Sequence, residues 1–260
     1  MDVLTPRSLD EALQLKAEHP DAWPIQGGTD VMVALNFDRG RPATMLNLNE
    51  VQELRGWWRG DGSLRLGSGL TYAEIEHGEL RTVLPALAEA SRTVGSPQIR
   101  NRGTIGGNLA TSSPAGDALP PLLIEDAVVE CASVRGTREV PLGDFVTGVK
   151  RNALAADELI TAVVVAPSGA AQTFMKIGPR NAMVIAVVSL AVSAGDELRA
   201  SFGSASPKPV LVTAPRAEAA GFPAQVAGAA TPIDDVRGTR AYRVHALEVL
   251  TRRALERVLA

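Results

Sequence analysis

The chain holds one cysteine, Cys131, in 260 residues. A single thiol excludes an internal disulfide, and it excludes an iron–sulfur cluster or structural zinc site built from this chain's own thiolates. Within Val128-Val129-Glu130-Cys131-Ala132 it reads as a buried strand residue, not a reactive thiol. Histidine is nearly as scarce. His19, His77 and His245 are scattered, with no pair spaced for a shared metal, so no metal site is expected. Basic charge is not in excess either: the net charge is −3, and the pair Arg100 and Arg102 is too short to form a nucleic-acid patch. The longest apolar run, Ala182 to Ala194, is interrupted by Ser189 and Ser193 and is too short for a membrane span. Residues 1–6 lack a charged segment leading into an apolar core, so no secretory leader is expected. These absences together lead to the expectation of a soluble, cytoplasmic protein.

Several catalytic patterns are missing too. There is no G-x-G-x-x-G after a strand and no G-x-x-x-x-G-K-S/T, which removes the Rossmann crevice and the P-loop. No nucleophile–base triad, activated cysteine or acid–base carboxylate pair emerges. What the chain does have is an ordinary globular balance, 45% hydrophobic and 21% charged residues, in a length able to bury a sizeable core.

Its most informative stretch is Thr104-Ile105-Gly106-Gly107-Asn108, continued by Leu109-Ala110-Thr111-Ser112-Ser113-Pro114-Ala115-Gly116-Asp117. Paired glycines let backbone N–H groups approach a ligand and form anion-binding nests. The hydroxyl and amide side chains suit phosphate oxygens or ribose-like hydroxyls. Asp117 would repel a phosphate but accept hydrogen bonds from sugar or ribityl hydroxyls. A second loop of this kind, Ile25-Gln26-Gly27-Gly28-Thr29-Asp30, follows Trp23-Pro24 and precedes the apolar run from Val31 to Leu35. Two such loops can close on the two ends of a pyrophosphate, which points to a nucleotide-type cofactor.

Around these loops the patterning is mixed. Ser8 and Glu11, then Thr71 and Glu74, have capping-box spacing and open helices at Leu9 and Tyr72. Pro85 to Val94 is a further helix. Trp23 to Gln26, Met45 to Leu48, Ser63 to Ser68, Ala127 to Val134 with a hairpin partner near Arg138 to Val140, and Ile160 to Val165 read as strands. Beyond a boundary at Ser168-Gly169-Ala170-Ala171, three antiparallel strands are expected at Thr173 to Ile177, Val184 to Ser193 and Leu198 to Gly203. Ala214 to Ala230 is Ala-rich and reads as a helix broken by Pro215 and Pro223. In the last segment Leu247, Leu250, Ala254 and Val258 repeat at helical spacing.

The two loops together resemble those of the FAD-binding subunit of the molybdenum hydroxylases, the xanthine dehydrogenase and aerobic carbon monoxide dehydrogenase family. The likeness extends in order through Leu46-Asn47-Leu48, Leu54-Arg55-Gly56, Gly69-Leu70-Thr71-Tyr72-Ala73-Glu74, Leu142-Gly143-Asp144-Phe145, Gly148, Lys176, Arg180, Tyr242-Arg243 and Arg252-Arg253-Ala254-Leu255. It covers essentially the whole chain. The resemblance implies an α+β fold in which two small lobes, about 1–55 and 56–167, form a PCMH-type FAD-binding domain over 1–167. Residues 168–260 would then be a C-terminal domain, a three-stranded antiparallel sheet with helices, like that of the carbon monoxide dehydrogenase flavoprotein.

The resemblance also assigns residues. Pro24, Ile25, Gln26, Gly27, Gly28, Thr29, Asp30 and Val31 match one pyrophosphate loop. Thr104, Ile105, Gly106, Gly107 and Asn108 match the other, with Thr111 and Ser113 following and Asp117 at a polar FAD contact. The glycines of both loops are expected to expose amide donors. Val94 and Ile160 fall at apolar positions near the flavin. Lys176 matches a basic position near the flavin ring, where a positive charge would favour anionic reduced flavin. One departure is visible: some relatives place an aromatic residue against the flavin ring, whereas Val94 and Lys176 to Arg180 include none, and the only tyrosines are Tyr72 and Tyr242. By the same resemblance, substrate hydroxylation belongs to a separate molybdopterin subunit. An iron–sulfur subunit with 2Fe–2S clusters would feed electrons to FAD here, and NAD or another acceptor would take them. Two other readings stay open. One is a self-contained FAD-dependent oxidoreductase of the vanillyl-alcohol oxidase or MurB type, which would need acid–base residues that 168–260, poor in His and Tyr, do not offer. The other is a non-catalytic assembly protein that retains the fold.

Overall fold

Three short parallel strands organise the N-terminal residues of the computed structural model, which describes residues 1–260. They are β1 (Asp2–Leu4), β2 (Trp23–Ile25) and β3 (Thr44–Asn47), in the order β1-β3-β2. Between β1 and β2 runs α1 (Leu9–Glu18). Ser8 Oγ accepts from the Glu11 amide at 3.2 Å, and the Glu11 carboxylate accepts from the Arg7 amide at 2.7 Å. The capping pair therefore reaches one residue further back than a standard box. At the other end Lys16 is buried and donates to Pro20 O and Ala22 O, satisfying carbonyls where the helix stops. The helix α2 (Val31–Asn36) buries none of its residues and leaves Met32 and Val33 exposed.

The middle of the chain builds a five-stranded antiparallel sheet. Its strands are β4 (Trp57–Arg59), β5 (Leu64–Gly67), β6 (Val128–Ser133), β7 (Gly136–Pro141) and β10 (Leu159–Val165), ordered β4-β5-β10-β6-β7. The run Leu159-Ile160-Thr161-Ala162-Val163-Val164-Val165 occupies the centre, buried at every position except Val164, as a strand covered on both faces must be. Between β5 and β6 the chain forms α3 (Tyr72–Glu76), α4 (Leu80–Val83), α5 (Pro85–Arg92), α6 (Pro97–Arg100), α7 (Ile105–Thr111) and α8 (Leu119–Leu123). Thr71 and Glu74 complete a reciprocal capping box at α3. A small hairpin, β8 (Val146–Gly148) and β9 (Arg151–Asn152), follows α9 (Leu142–Phe145) and leads into β10. Leu66, Ile105, Leu109, Val129, Phe145 and Val163 meet in one core beneath these elements.

The last part is a four-stranded antiparallel meander, β11 (Ala171–Ile177), β12 (Val188–Ala194), β13 (Glu197–Gly203) and β14 (Val210–Pro215). The sequence led to three strands, and the fourth is a correction. Val210-Leu211-Val212 is short, and Pro215 terminates it at a sheet edge, where a missing N–H costs no ladder bond. The Ala-rich helix accordingly begins later, as α10 (Phe222–Gly228), with Pro223 in its first turn. The expected strand from Val184 starts instead at Val188. Residues 178–186 form a loop in which Met183 has φ 52° and Arg180 donates to Ala182 O. Every residue of β12 is buried, because α11 (Arg240–Val258) and α10 cover one face of the sheet while α5 and α8 pack against it from the other side. Leu247, Leu250, Ala254 and Val258 are the buried stripe of α11, with Arg252, Arg253 and Glu256 outward. No helix is long and apolar enough to cross a membrane.

Candidate functional site

The two glycine loops, remote in sequence, meet in space. A Cβ added to Gly27 would stand 2.2 Å from Arg102 O, so only glycine lets the first loop lie against the segment leading into α7. The Arg102 guanidinium donates to Gln26 O and to Asn49 Oδ1, and Thr111 Oγ1 lies 3.3 Å from Asp30 Oδ2. Arg102, half of the pair too short for a nucleic-acid patch, thus pins one loop to the other. Gly28 has φ 76°, the left-handed turn that redirects the chain from β2 into α2.

This junction forms one wall of a cleft of about 600 Å³. The backbone amides of Gly27, Gly28, Thr29, Asp30 and Val31 have no acceptor within the protein. Consecutive free N–H groups in a left-handed bend concentrate positive potential and suit a phosphate.

The second loop works differently from the sequence expectation. Thr104 Oγ1 caps α7 by accepting from the Gly107 amide at 3.0 Å. The Ile105 amide donates to Leu70 O at 2.9 Å and the Gly106 amide to Ser68 O at 2.8 Å. These donors are consumed inside the fold. A Cβ on Gly106 would meet Ser68 Cβ at 2.6 Å and Ser68 O at 2.7 Å, so this glycine is required for close packing of α7 on the β5 exit. Gly107 is exposed to the cleft, with only Thr104 Oγ1 near its missing side chain. The pair thus divides its work, one glycine holding the fold together and the other keeping the cleft open.

Four buried polar atoms without a protein partner belong to residues lining this one cleft: Gln26 Nε2, Tyr72 Oη, Asn108 Oδ1 and Asp117 Oδ1. Native interiors rarely leave such atoms orphaned, and a cluster of them marks a place that a polar ligand completes. Asp117 Oδ2 is taken by Lys176 Nζ at 2.6 Å, both side chains being buried. Burial pushes the Asp117 carboxyl up to about 6, against the pull of Lys176. Burial, then the charges of Asp117 and Asp30, push the Tyr72 phenol well above its ordinary value. The lining holds three carboxylates, Asp30, Asp117 and Glu158, and no lysine or arginine. Glu158 is already held by two hydrogen bonds of 2.7 Å from Arg138, which keep it below the usual carboxylate range.

The cleft gathers Pro24, Ile25, Gln26, Gly27, Gly28, Thr29, Asp30, Val31, Val94, Thr104, Gly106, Gly107, Asn108, Thr111, Ser113, Asp117 and Ile160. Two expected residues lie elsewhere. Ile105 is fully buried in the core beneath α7, because the first helical position points its side chain inward. Lys176 stands behind Asp117, donating also to Thr93 O, and does not line the cleft. Sequence reasoning missed Tyr72, whose neighbours Thr71 and Glu74 drew attention as a cap, and the apolar wall of Leu154, Leu159, Met183, Val184 and Ile185. Val184 and Ile185 belong to the segment read as the start of a strand. Cys131 is buried in β6, and burial pushes its thiol up to about 11.

A mixed cleft with free amides on one wall, orphaned side-chain donors and acceptors, and an apolar wall for a ring suits a dinucleotide such as FAD. Comparison with known proteins agrees. A family model described as the FAD binding domain in molybdopterin dehydrogenase matches residues 1–167. The nicotinate dehydrogenase FAD-subunit of Eubacterium barkeri is 38% identical over 195 residues, which cover 72% of this chain and 66%, just under two thirds, of the relative. The xanthine dehydrogenase FAD-binding subunit of Escherichia coli O157:H7 is 31% identical over an alignment of 274 positions covering 97% of this chain and 94% of the relative. In structure, a chain of the carbon monoxide dehydrogenase from Hydrogenophaga pseudoflava, solved lacking the Mo-pyranopterin moiety of its cofactor, superposes with a TM-score of 0.92. It is 22% identical, and the match covers 100% of this chain and 97% of that chain. That likeness establishes the α+β fold.

Proposed function

The chain belongs to the family of FAD-binding domains of molybdopterin dehydrogenases, and from that premise we propose that it is the electron-transfer flavoprotein subunit of a heteromeric molybdenum hydroxylase of the xanthine dehydrogenase type. In this reading a partner with 2Fe–2S clusters delivers electrons, a molybdopterin partner hydroxylates the substrate, and NAD or another acceptor takes the electrons away. Residues 1–167 form the FAD-binding domain, with lobes of about 1–55 and 56–167, and 168–260 form the C-terminal domain.

One observation carries the reading: four residues that line a single cleft, Gln26, Tyr72, Asn108 and Asp117, each hold a buried polar atom lacking any partner. Bound there, FAD supplies the capacity to accept electron pairs and pass them on. The chain's own residues bind and orient. The amides from Gly27 to Val31 would be the donors for the pyrophosphate, Asn108 and Asp117 would offer acceptors to the sugar-chain hydroxyls of FAD, and Val94, Ile160 and the 183–185 loop would supply apolar contacts. Thr104, Gly106 and Ile105 act beneath the surface by fixing α7. Lys176 sets the position of Asp117.

Native purification of the chain with whatever accompanies it, followed by a visible spectrum and assays for iron and molybdenum, tests the proposal. Flavin bands on this chain with iron and molybdenum in larger companions are expected. Flavin on a chain that carries out substrate oxidation without companions would overturn it.

A further inference from the structure

We propose that Tyr72 is a flavin-nucleotide-binding residue, its phenol and Asp117 Oδ1 together holding one sugar-chain hydroxyl of the bound molecule. The phenol donates to that hydroxyl and the carboxylate accepts from it. This assignment rests on the FAD reading of the cleft.

Tyr72 is the first residue of α3, and its amide donates to Gly103 O at 3.1 Å. Its ring lies against Gly103, where an added Cβ would stand 3.2 and 3.3 Å from ring carbons Cδ2 and Cε2. The side chain is thereby wedged between α3 and the segment leading to α7, with 4% of the residue exposed. Nothing in the packing requires a hydroxyl there, since phenylalanine would fill the same volume. Yet Tyr72 lines the cleft, and its Oη is buried without a partner. Asp117 lines the same cleft, its Oδ1 equally buried and without a partner, while Lys176 occupies the other oxygen.

An unmet donor and an unmet acceptor on one cleft match a group that both accepts and donates, which a hydroxyl does and a phosphate oxyanion does not. Charge favours the same choice. Asp117 and Asp30 are the carboxylates whose charges act on the phenol, so a phosphate seated there would face both. The free amides from Gly27 to Val31 give the phosphates a better place. Burial and the same two carboxylates keep the phenol protonated, so it remains a donor at neutral pH.

The test is Tyr72→Phe in the full chain, stripped of flavin and titrated with FAD, beside thermal unfolding of the flavin-free proteins. The expected result is about tenfold weaker FAD binding with an unfolding midpoint equal to or above that of the wild type, because an unpaired buried hydroxyl has been removed. Titration with FMN and with ADP locates the hydroxyl: a weakened FMN complex places it on the ribityl chain, a weakened ADP complex on the ribose. Equal FAD affinities would overturn the assignment alone. A lowered midpoint in the flavin-free variant would make Tyr72 structural and also overturn it, as would weakened competition by inorganic pyrophosphate. Failure of the wild-type chain to bind FAD would overturn the reading of the cleft and this assignment with it.

Discussion

Lys176 holds Asp117 by one oxygen, with 2.6 Å between Nζ and Oδ2, and leaves the other oxygen buried without a partner. A lysine on β11 of the C-terminal sheet thus positions a carboxylate on the loop after α7, and the sheet reaches the cleft through this pair as well as through the 183–185 loop. The pair explains why a carboxylate can be kept ready in a site meant for an anionic ligand. One of its two oxygens is paired with Lys176, and burial makes the carboxyl easier to protonate.

That burial has a measurable sign. The Asp117 carboxyl stands at about 6 in the fold against an ordinary 3.8. Between those values the folded chain binds more protons than the unfolded one. The stabilisation is fully present below 3.8 and is lost as pH rises through 6, on the order of 3 kcal/mol. Asp117→Asn does not titrate. Urea unfolding at pH 4 and pH 7 should therefore show the wild type losing more stability across this interval than the variant. Parallel losses would place the Asp117 carboxyl at its ordinary value.

The two glycines of the second loop should part company. Gly106→Ala drives a methyl into Ser68 backbone and should cost roughly 2 kcal/mol or more of stability. A Cβ at Gly107 would approach only Thr104 Oγ1, so Gly107→Val should fold nearly as well as the wild type, with a helix-propensity gain of about 0.3 kcal/mol. Its branched side chain stands in the cleft and should abolish FAD binding. Thermal unfolding and FAD titration of both variants check this. Full flavin occupancy in Gly107→Val would remove the second loop from the site.

Salt gives a third check. With no lysine or arginine in the lining, the pyrophosphate is met by backbone dipoles close at hand, which ions screen weakly. FAD affinity should change by less than about threefold between roughly 0.05 and 0.5 M salt. A steep decline with salt, measured by fluorescence titration, would mean that distant cations supply the binding energy.

Much of this was legible in the residues. Capping spacing at Ser8 and Thr71 located α1 and α3, β-branched runs located β6 and β10, and the glycine pairs located both loops. What the sequence withheld is tertiary. Whether a glycine amide is free depends on where Leu70 O and Ser68 O happen to stand, and those acceptors lie far back in the chain. Gly106 and Gly107 look identical in sequence, and only the proximity of Ser68 separates them. Tyr72 sat inside a cap motif that accounted for its neighbours. The edge strand β14 carries too short a β-branched run to stand out, and it exists because β13 offers it a ladder.

The central claim is that this cleft holds FAD through the free amides of Gly27 to Val31 and the unpartnered side chains of its lining. Titration of the flavin-free chain with FAD, followed by quenching of flavin fluorescence, tests it most directly. Saturable binding of one FAD per chain, lost in Gly107→Val while the fold persists, is the predicted result. No saturable binding by a folded wild-type chain would contradict it.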